Sequence, residues 1–441
     1  MLKHIHFGAG AFGLGFVCWL TNLAKFDTTV FNRAERKLGE GNIERIINAN
    51  NKYVVQVDED SGQQQTIELA NAIALRSDQS NDQWISIAED PELNLITTSI
   101  KNLDGLESYH QILLDIVKFR AEKSITRPIY FFACENGFNS YDVRTWLFKK
   151  YPDFKEEIEK VFVFVPCVVD RICSIDLNSS ELLIVQTEEY ARIFVQAVVD
   201  RGENQRDLSV VGKLLDPNVS KSITDISKSR LFNVFDFVSD IEKFKKMKSL
   251  IVNGSHFIIA LRAHRHRYIH IDDFVVKNSE WCRHVLEEMA VIASHDVAND
   301  TLDQIFYNRC NEFAEETLAR FSGRRDLTSR VLSRFVDPYL DVVDQIFLSE
   351  TSPQITFIDN TSVFFKSFLM KVLHPAQEFS NSFERVPVKC FDASVDVALL
   401  LSEARYPSLS LIRGQEFYTE FQALVSKHGF ELASFVKAEG C

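Results

Sequence analysis

Short runs of β-branched and aromatic residues alternate with longer stretches of helical periodicity through the first half of the chain. His4–Phe7, Thr28–Phe31, Asn94–Thr98, Pro128–Ala133 and Val161–Val165 read as strands, while Phe12–Lys25 and Leu106–Lys123 place apolar residues at helical spacing. This alternation predicts an α/β fold, a parallel doubly wound sheet with helices on both faces. Tyr53–Val57 and Gln65–Leu69, parted by polar Asp58–Gln64, predict an inserted hairpin, and Leu182–Thr187 a further strand. Beyond about residue 200 the period changes to 3.6. Val238–Lys248, Ser279–Ser294, Thr301–Phe321, Ser362–Leu373 and Phe417–Lys427 then read as helices. The pattern divides the chain into an α/β domain over residues 1–200 and a mainly α-helical domain over 201–441.

The 441 residues are ample for two or three domains. With 49 Lys and Arg against 62 Asp and Glu, the net charge of −13 gives no support to a nucleic-acid or anionic-membrane partner. No apolar run approaches the ~18 residues of a membrane span, and a strand begins almost at Met1, unlike a secretory signal. The eight cysteines show no C-x-x-C and no paired Cys/His spacing, so no metal is expected, and free thiols point to a cytoplasmic protein. The 36 Phe against 4 Met read as core packing.

Gly8-Ala-Gly10-Ala-Phe12-Gly13 follows the first strand and opens the first helix. In such a G-x-G-x-x-G the first glycine makes the tight turn, the second admits a pyrophosphate and the third allows close helix–strand contact. The expected fold of the first domain is therefore Rossmann-type, with NAD or NADP as cofactor. At the end of the second strand, where a carboxylate would read both ribose hydroxyls of NAD, stand Asn32 and Arg33, with Lys37 nearby. Loss of a carboxylate and gain of a guanidinium favour NADP slightly.

Lys248, Asn253 and His256 form a K-x-x-x-x-N-x-x-H segment. On an α-helix of ~100° per residue, Asn253 lies about 140° and His256 about 80° from Lys248, so all three can project toward one side. An amine can take an alcohol proton while amide and imidazole donors stabilise the alkoxide.

Together with the glycine turn, this segment resembles the polyol-specific long-chain dehydrogenases, most closely their mannitol-1-phosphate branch. The resemblance is carried in order by His6–Gly10 (HFGAG), Ile96–Ser99 (ITTA in the family), Ala133–Asn136 (ACEN), Val169–Ile172 (VDRI) and Arg334–Leu340 (RFxNPYL). It implies an NAD(P)-dependent exchange between a sugar alcohol, or its phosphate, and a ketose, with mannitol 1-phosphate and fructose 6-phosphate as the first pair. It makes Lys248 the general base, with Asn253 and His256 on the substrate oxygen. Gly8, Gly10, Phe12, Gly13, Asn32, Arg33, Thr98 and Asn136 become cofactor residues, and Asp170 and Arg171 substrate residues. Glu188 matches a family glutamate. Asp170 and Arg171 can equally pair with each other, and Glu135 and Arg334 can be structural.

Three departures matter. Pro166 stands where the family presents Asn or Asp, residues 344–366 are almost without positive charge apart from Lys366, and Lys101 replaces a glycine. Arg262 and Arg265, in the run Arg262–Arg267, could clamp a phosphate instead, or form a cationic helix end. The alternatives are a dehydrogenase of an unphosphorylated polyol or a hexuronate, and an inactive NAD(P)-binding relative. A monomer or a homodimer fits either way.

Overall fold

The computed structural model describes residues 2–331, apart from 35–40, 58–62, 76–81, 101, 136, 177–181, 202–203, 208–233, 297–300, 324–325 and 329–330. The chain divides into two compact units, Met1–Phe244 and Lys245–Cys441.

The first unit is built on six parallel strands: β1 (Lys3–Phe7), β2 (Asp27–Arg33), β5 (Asn71–Leu75), β6 (Leu93–Thr98), β7 (Ile129–Ala133) and β8 (Phe162–Val165). Their order, β5-β2-β1-β6-β7-β8, reverses at β1, with β2 on one side and β6 on the other. This is the 3-2-1-4-5-6 arrangement of a Rossmann sheet, whose ligands bind outside the carboxyl ends at the reversal. The strands alternate between two cores, as their period of two requires. In β8, Phe162 and Phe164 enter the core around the helix His110–Glu122 with Ile96 and Phe131, while Val163 and Val165 enter the opposite one with Leu14 and Trp19. Part of the phenylalanine excess is thus explained: Phe131, Phe162 and Phe164 pack ring to ring at 5.6–5.9 Å.

The expected hairpin is present as β3 (Lys52–Val57) and β4 (Gln63–Glu68). With β10 (Cys173–Asp176) and β11 (Ile184–Thr187) it makes a second sheet in the order β10-β11-β3-β4. A third sheet joins β9 (Cys167–Asp170), β12 (Arg192–Gln196) and β15 (Phe235–Val238), and β13 (Val198–Arg201) pairs with β14 (Asn204–Asp207). Because β15 runs parallel beside β12, the first unit extends past the change of period expected near residue 200.

The described part of the second unit is mainly helical. Ile241–Lys248, Ser249–Gly254 and Ser255–Arg265 form one continuous run that begins at the end of the first unit, followed by Ile271–Lys277, Ser279–Ser294 and Gln304–Ser322. The last starts later than its periodicity suggests because Asp303 caps it, its Oδ1 accepting from Phe306 N–H at 3.0 Å. Ser362–Leu373 and Phe417–Lys427 lie outside the described residues.

Candidate active site

The glycine turn sits at the carboxyl end of β1. Gly8 has φ +113° and its N–H donates to the Phe31 carbonyl at 2.8 Å. A Cβ there would meet the Ser99 carbonyl at 2.6 Å, and one on Gly13 would lie 2.2 Å from Ser99 Oγ and 2.3 Å from His6 Nε2. A Cβ on Gly10 would meet nothing within 4 Å. The outer glycines are therefore enclosed by protein, while the middle one borders open space, as approach of a pyrophosphate requires. The helix that follows is wound as a π-helix over Gly13–Cys18, with Phe12 at its start and T-shaped against Phe16.

Asn32 has a task different from the one expected of it. Its Oδ1 accepts from Ala9 N–H (3.2 Å) and its Nδ2 donates to the Arg33 carbonyl (3.0 Å), while Asn42 Nδ2 holds the Ala9 carbonyl (2.8 Å). The amide that could have read a ribose thus fixes the turn. Arg33 is exposed, with no ion pair among the described residues.

At the ends of β6 and β7, Thr98 is buried and Glu135 Oε1 accepts from Ile100 N–H at 2.8 Å. Glu135 Oε2 is buried and has no hydrogen-bond partner among the described residues. Burial pushes this carboxyl up to about 8, against the pull of the Thr98 hydroxyl and the Ile100 N–H, so it carries its proton at neutral pH. Asn136 and Lys101 lie outside the described residues, as do Lys37 and Arg334.

Arg171 has a structural task that the sequence did not announce. Its guanidinium is buried and donates to the Glu188 carbonyl through Nε (3.0 Å) and Nη2 (2.9 Å) and to the Gly15 carbonyl through Nη1 (2.8 Å). It also stacks 4.1 Å from the Trp19 ring. Three of its five N–H donors thus brace the π-helix and the Glu188 peptide. Glu188 closes the loop by accepting from Ile172 N–H. Asp170 is buried in β9, opposite Arg192. Pro166, lacking a donor, still serves the third sheet as acceptor of Gln196 N–H at 3.0 Å.

In the second unit the helix is π-wound over Ser249–Gly254, between Lys248 and His256. Under i→i+5 bonding, residues five apart stack a turn apart, so Lys248 and Asn253 share a face rather than standing about 140° apart. His256 follows three residues later on the α-helix, again a same-face neighbour. Lys248 and His256 are buried. The His256 ring stacks on Phe321 at 4.4 Å, and its Nε2 lies 3.7 Å from Oδ2 of buried Asp326. Asp326, some 70 positions along, gave no signal in the sequence. Arg262 is buried with its guanidinium 5.5 Å from the Trp281 ring. Arg265 lies in the same helix, its side chain outside the described set.

Residues 2–206 match the family model described as the mannitol dehydrogenase Rossmann domain. The match covers most of the first unit and marks it as similar to the dinucleotide-binding domain of that family. Over 338 residues the chain is 23% identical to mannitol-1-phosphate 5-dehydrogenase of Clostridium acetobutylicum, covering 75% of this chain and 76% of that one. Over 326 residues it is 24% identical to the enzyme of the same name from Thermoanaerobacter pseudethanolicus, covering 73% of each. Among solved structures, Pseudomonas fluorescens mannitol 2-dehydrogenase, in ternary complex with NAD and D-mannitol, matches with a TM-score of 0.54 at 12% identity over 96% of this chain and 91% of that one. A substrate-free D-sorbitol dehydrogenase gives 0.53 at 13% identity, over 97% and 94%. These two likenesses establish the fold. Among the described residues, no helix is long and apolar enough to cross a membrane.

Proposed function

We propose that the protein is an NAD(P)-dependent oxidoreductase interconverting a sugar alcohol, or its phosphate, with the corresponding ketose. The observation that carries this reading is the glycine turn of the mannitol dehydrogenase domain, enclosed at Gly8 and Gly13 and open at Gly10. The residues fit a dinucleotide: Gly10 leaves room for the pyrophosphate, and Thr98 and Glu135 stand at the ends of the strands beside the reversal. A bound nicotinamide supplies the hydride acceptor or donor. Lys248 takes the hydroxyl proton on alcohol oxidation and returns it on ketone reduction, while Asn253 and His256 donate to the oxygen as charge develops on it. Arg33, which has no ion pair among the described residues, with Asn32 bonded to the turn, favours the 2′-phosphate of NADP over NAD.

The relatives named for mannitol 1-phosphate make fructose 6-phosphate the first substrate to try. Its reduction is to be followed with NADH and NADPH in parallel, beside unphosphorylated fructose. Equal rates on both sugars would remove the phosphate from the assignment. Lys248→Ala is expected to abolish turnover while dinucleotide binding survives; wild-type turnover would refute the base.

A further inference from the structure

Behind the glycine turn runs a file of polar groups that the proposed chemistry does not use. Thr21 Oγ1 donates to the Cys18 carbonyl at 3.2 Å and lies 3.2 Å from Thr28 Oγ1, which is 3.1 Å from His4 Nδ1. Thr97 Oγ1 stands between His4 Nε2 (2.7 Å) and His6 Nδ1 (2.6 Å), and His6 Nε2 is 2.9 Å from Ser99 Oγ. Both rings are buried, and burial pushes His6 down to about 3 despite the opposing Gly8 carbonyl. Burial, helped by His6, also holds His4 well below the usual imidazole range.

Each hydroxyl has one proton to donate, and so has each neutral ring. Thr97 can give its proton to only one of the two rings, so the other must donate to Thr97. The two histidines therefore carry their protons on the same ring position. Starting from Thr21 donating to Cys18, Thr28 donates to Thr21, His4 Nδ1–H to Thr28, and Thr97 to His4 Nε2. His6 Nδ1–H then donates to Thr97, and Ser99 to His6 Nε2. Run the other way, the file leaves Thr21 with two acceptors for one proton and makes one bond fewer.

We propose that His4 and His6 form a single tautomeric unit, both protonated on Nδ1, through which His6 positions Ser99 Oγ and fixes the Gly8–Gly13 turn in the shape that receives a dinucleotide. The space a Cβ on Gly13 would need is filled by Ser99 Oγ and His6 Nε2, so the ring and hydroxyl form the back wall of the turn. Ser99 N–H also donates to the Phe7 carbonyl at 2.8 Å, tying the loop after β6 to β1. A charged His6 would donate from Nε2 as well, where Ser99 Oγ now donates, and so break the file; its neutrality keeps the turn's shape independent of pH across the physiological range. The role in binding rests on the dinucleotide reading above.

The test uses the full chain labelled with ¹⁵N-histidine. The two rings among the 11 histidines are identified by loss of their signals in His4→Asn and His6→Gln. Both should show a protonated Nδ1 and a bare Nε2, unchanged between about pH 5.5 and 8. NADH and NADPH binding is measured by fluorescence on the same preparations. Ser99→Ala and His6→Asn, whose short amide cannot reach Ser99, should weaken the preferred dinucleotide about threefold to tenfold. His6→Gln, which puts an amide oxygen near the place of Nε2, should recover most of that loss. Opposite tautomers, protons on Nε2 in both rings, or an imidazolium at neutral pH would overturn the proposal, as would unchanged binding by Ser99→Ala and His6→Asn. Wild-type protein that binds neither dinucleotide would overturn the dinucleotide reading itself, and the positioning role with it.

Discussion

Two buried histidines, one in each unit, keep opposite company. His6 faces hydroxyls and a carbonyl, in surroundings that hold its protons in one place and resist charge. His256 lies flat on Phe321 with the Asp326 carboxylate at ion-pair distance, company suited to an imidazole whose hydrogen bond must strengthen as an oxyanion forms. On the proposed function, the same side chain holds a backbone shape in the first unit and responds to developing charge in the second. Burial alone does not distinguish the two; the chemistry of the partner does.

The contrast is sharpest in turnover. His256→Ala should lower kcat about a hundredfold to a thousandfold with dinucleotide affinity unchanged, whereas changes at His6 should act on affinity. Matching effects at the two positions, read from kcat and Kd side by side, would erase the distinction. Asp326→Asn should lower kcat about tenfold by removing the charged partner of His256, and should add little in a His256→Ala background. Additive losses in that double-mutant cycle would mean that Asp326 does not act through His256.

Stability against pH probes the other member of the pair. The unfolded chain protonates His6 near pH 6.5, but the native chain holds off to about 3, so stability falls as pH is lowered through that window. The slope from this one group is about 1.4 kcal/mol per pH unit, and denaturant titrations of His6→Gln should show a shallower decline. Glu135 works in the opposite sense. Its native carboxyl keeps a proton to about 8, whereas the unfolded one loses it near 4.3, so stability falls as pH rises between those values. Glu135→Gln should flatten that decline.

The sheet was readable wherever strands were strongly apolar: β1, β2, β6, β7 and β8 stand close to their expected places. Asn71–Leu75 escaped because two alanines and an asparagine in five residues give little strand signal, although it is the third strand of the sheet. The glycine motif announced its turn, since each glycine answers a local steric demand. What Asn32 and Arg171 do was not legible, because a polar side chain's partner is chosen by tertiary placement: the Ala9 peptide for one, the Gly15 carbonyl for the other. Asp326 could not be linked to His256 by any spacing rule, as the pair is assembled by helices that return on themselves. The winding of Ser249–Gly254 was equally hidden, since apolar periodicity over six residues does not separate α from π.

That winding makes the segment sensitive to length as well as to residue type. A π turn holds more residues than an α turn of the same rise, and it stores the surplus as altered phase between the residues before and after it. Rewound as ordinary α-helix at full length, the stretch would turn His256 to about 80° from Lys248. Lys248 and His256 would survive such a rewinding unaltered in kind, yet out of line with each other; losing one residue as well, Ile251 for instance, would set them seven apart and within about 20° of one side again.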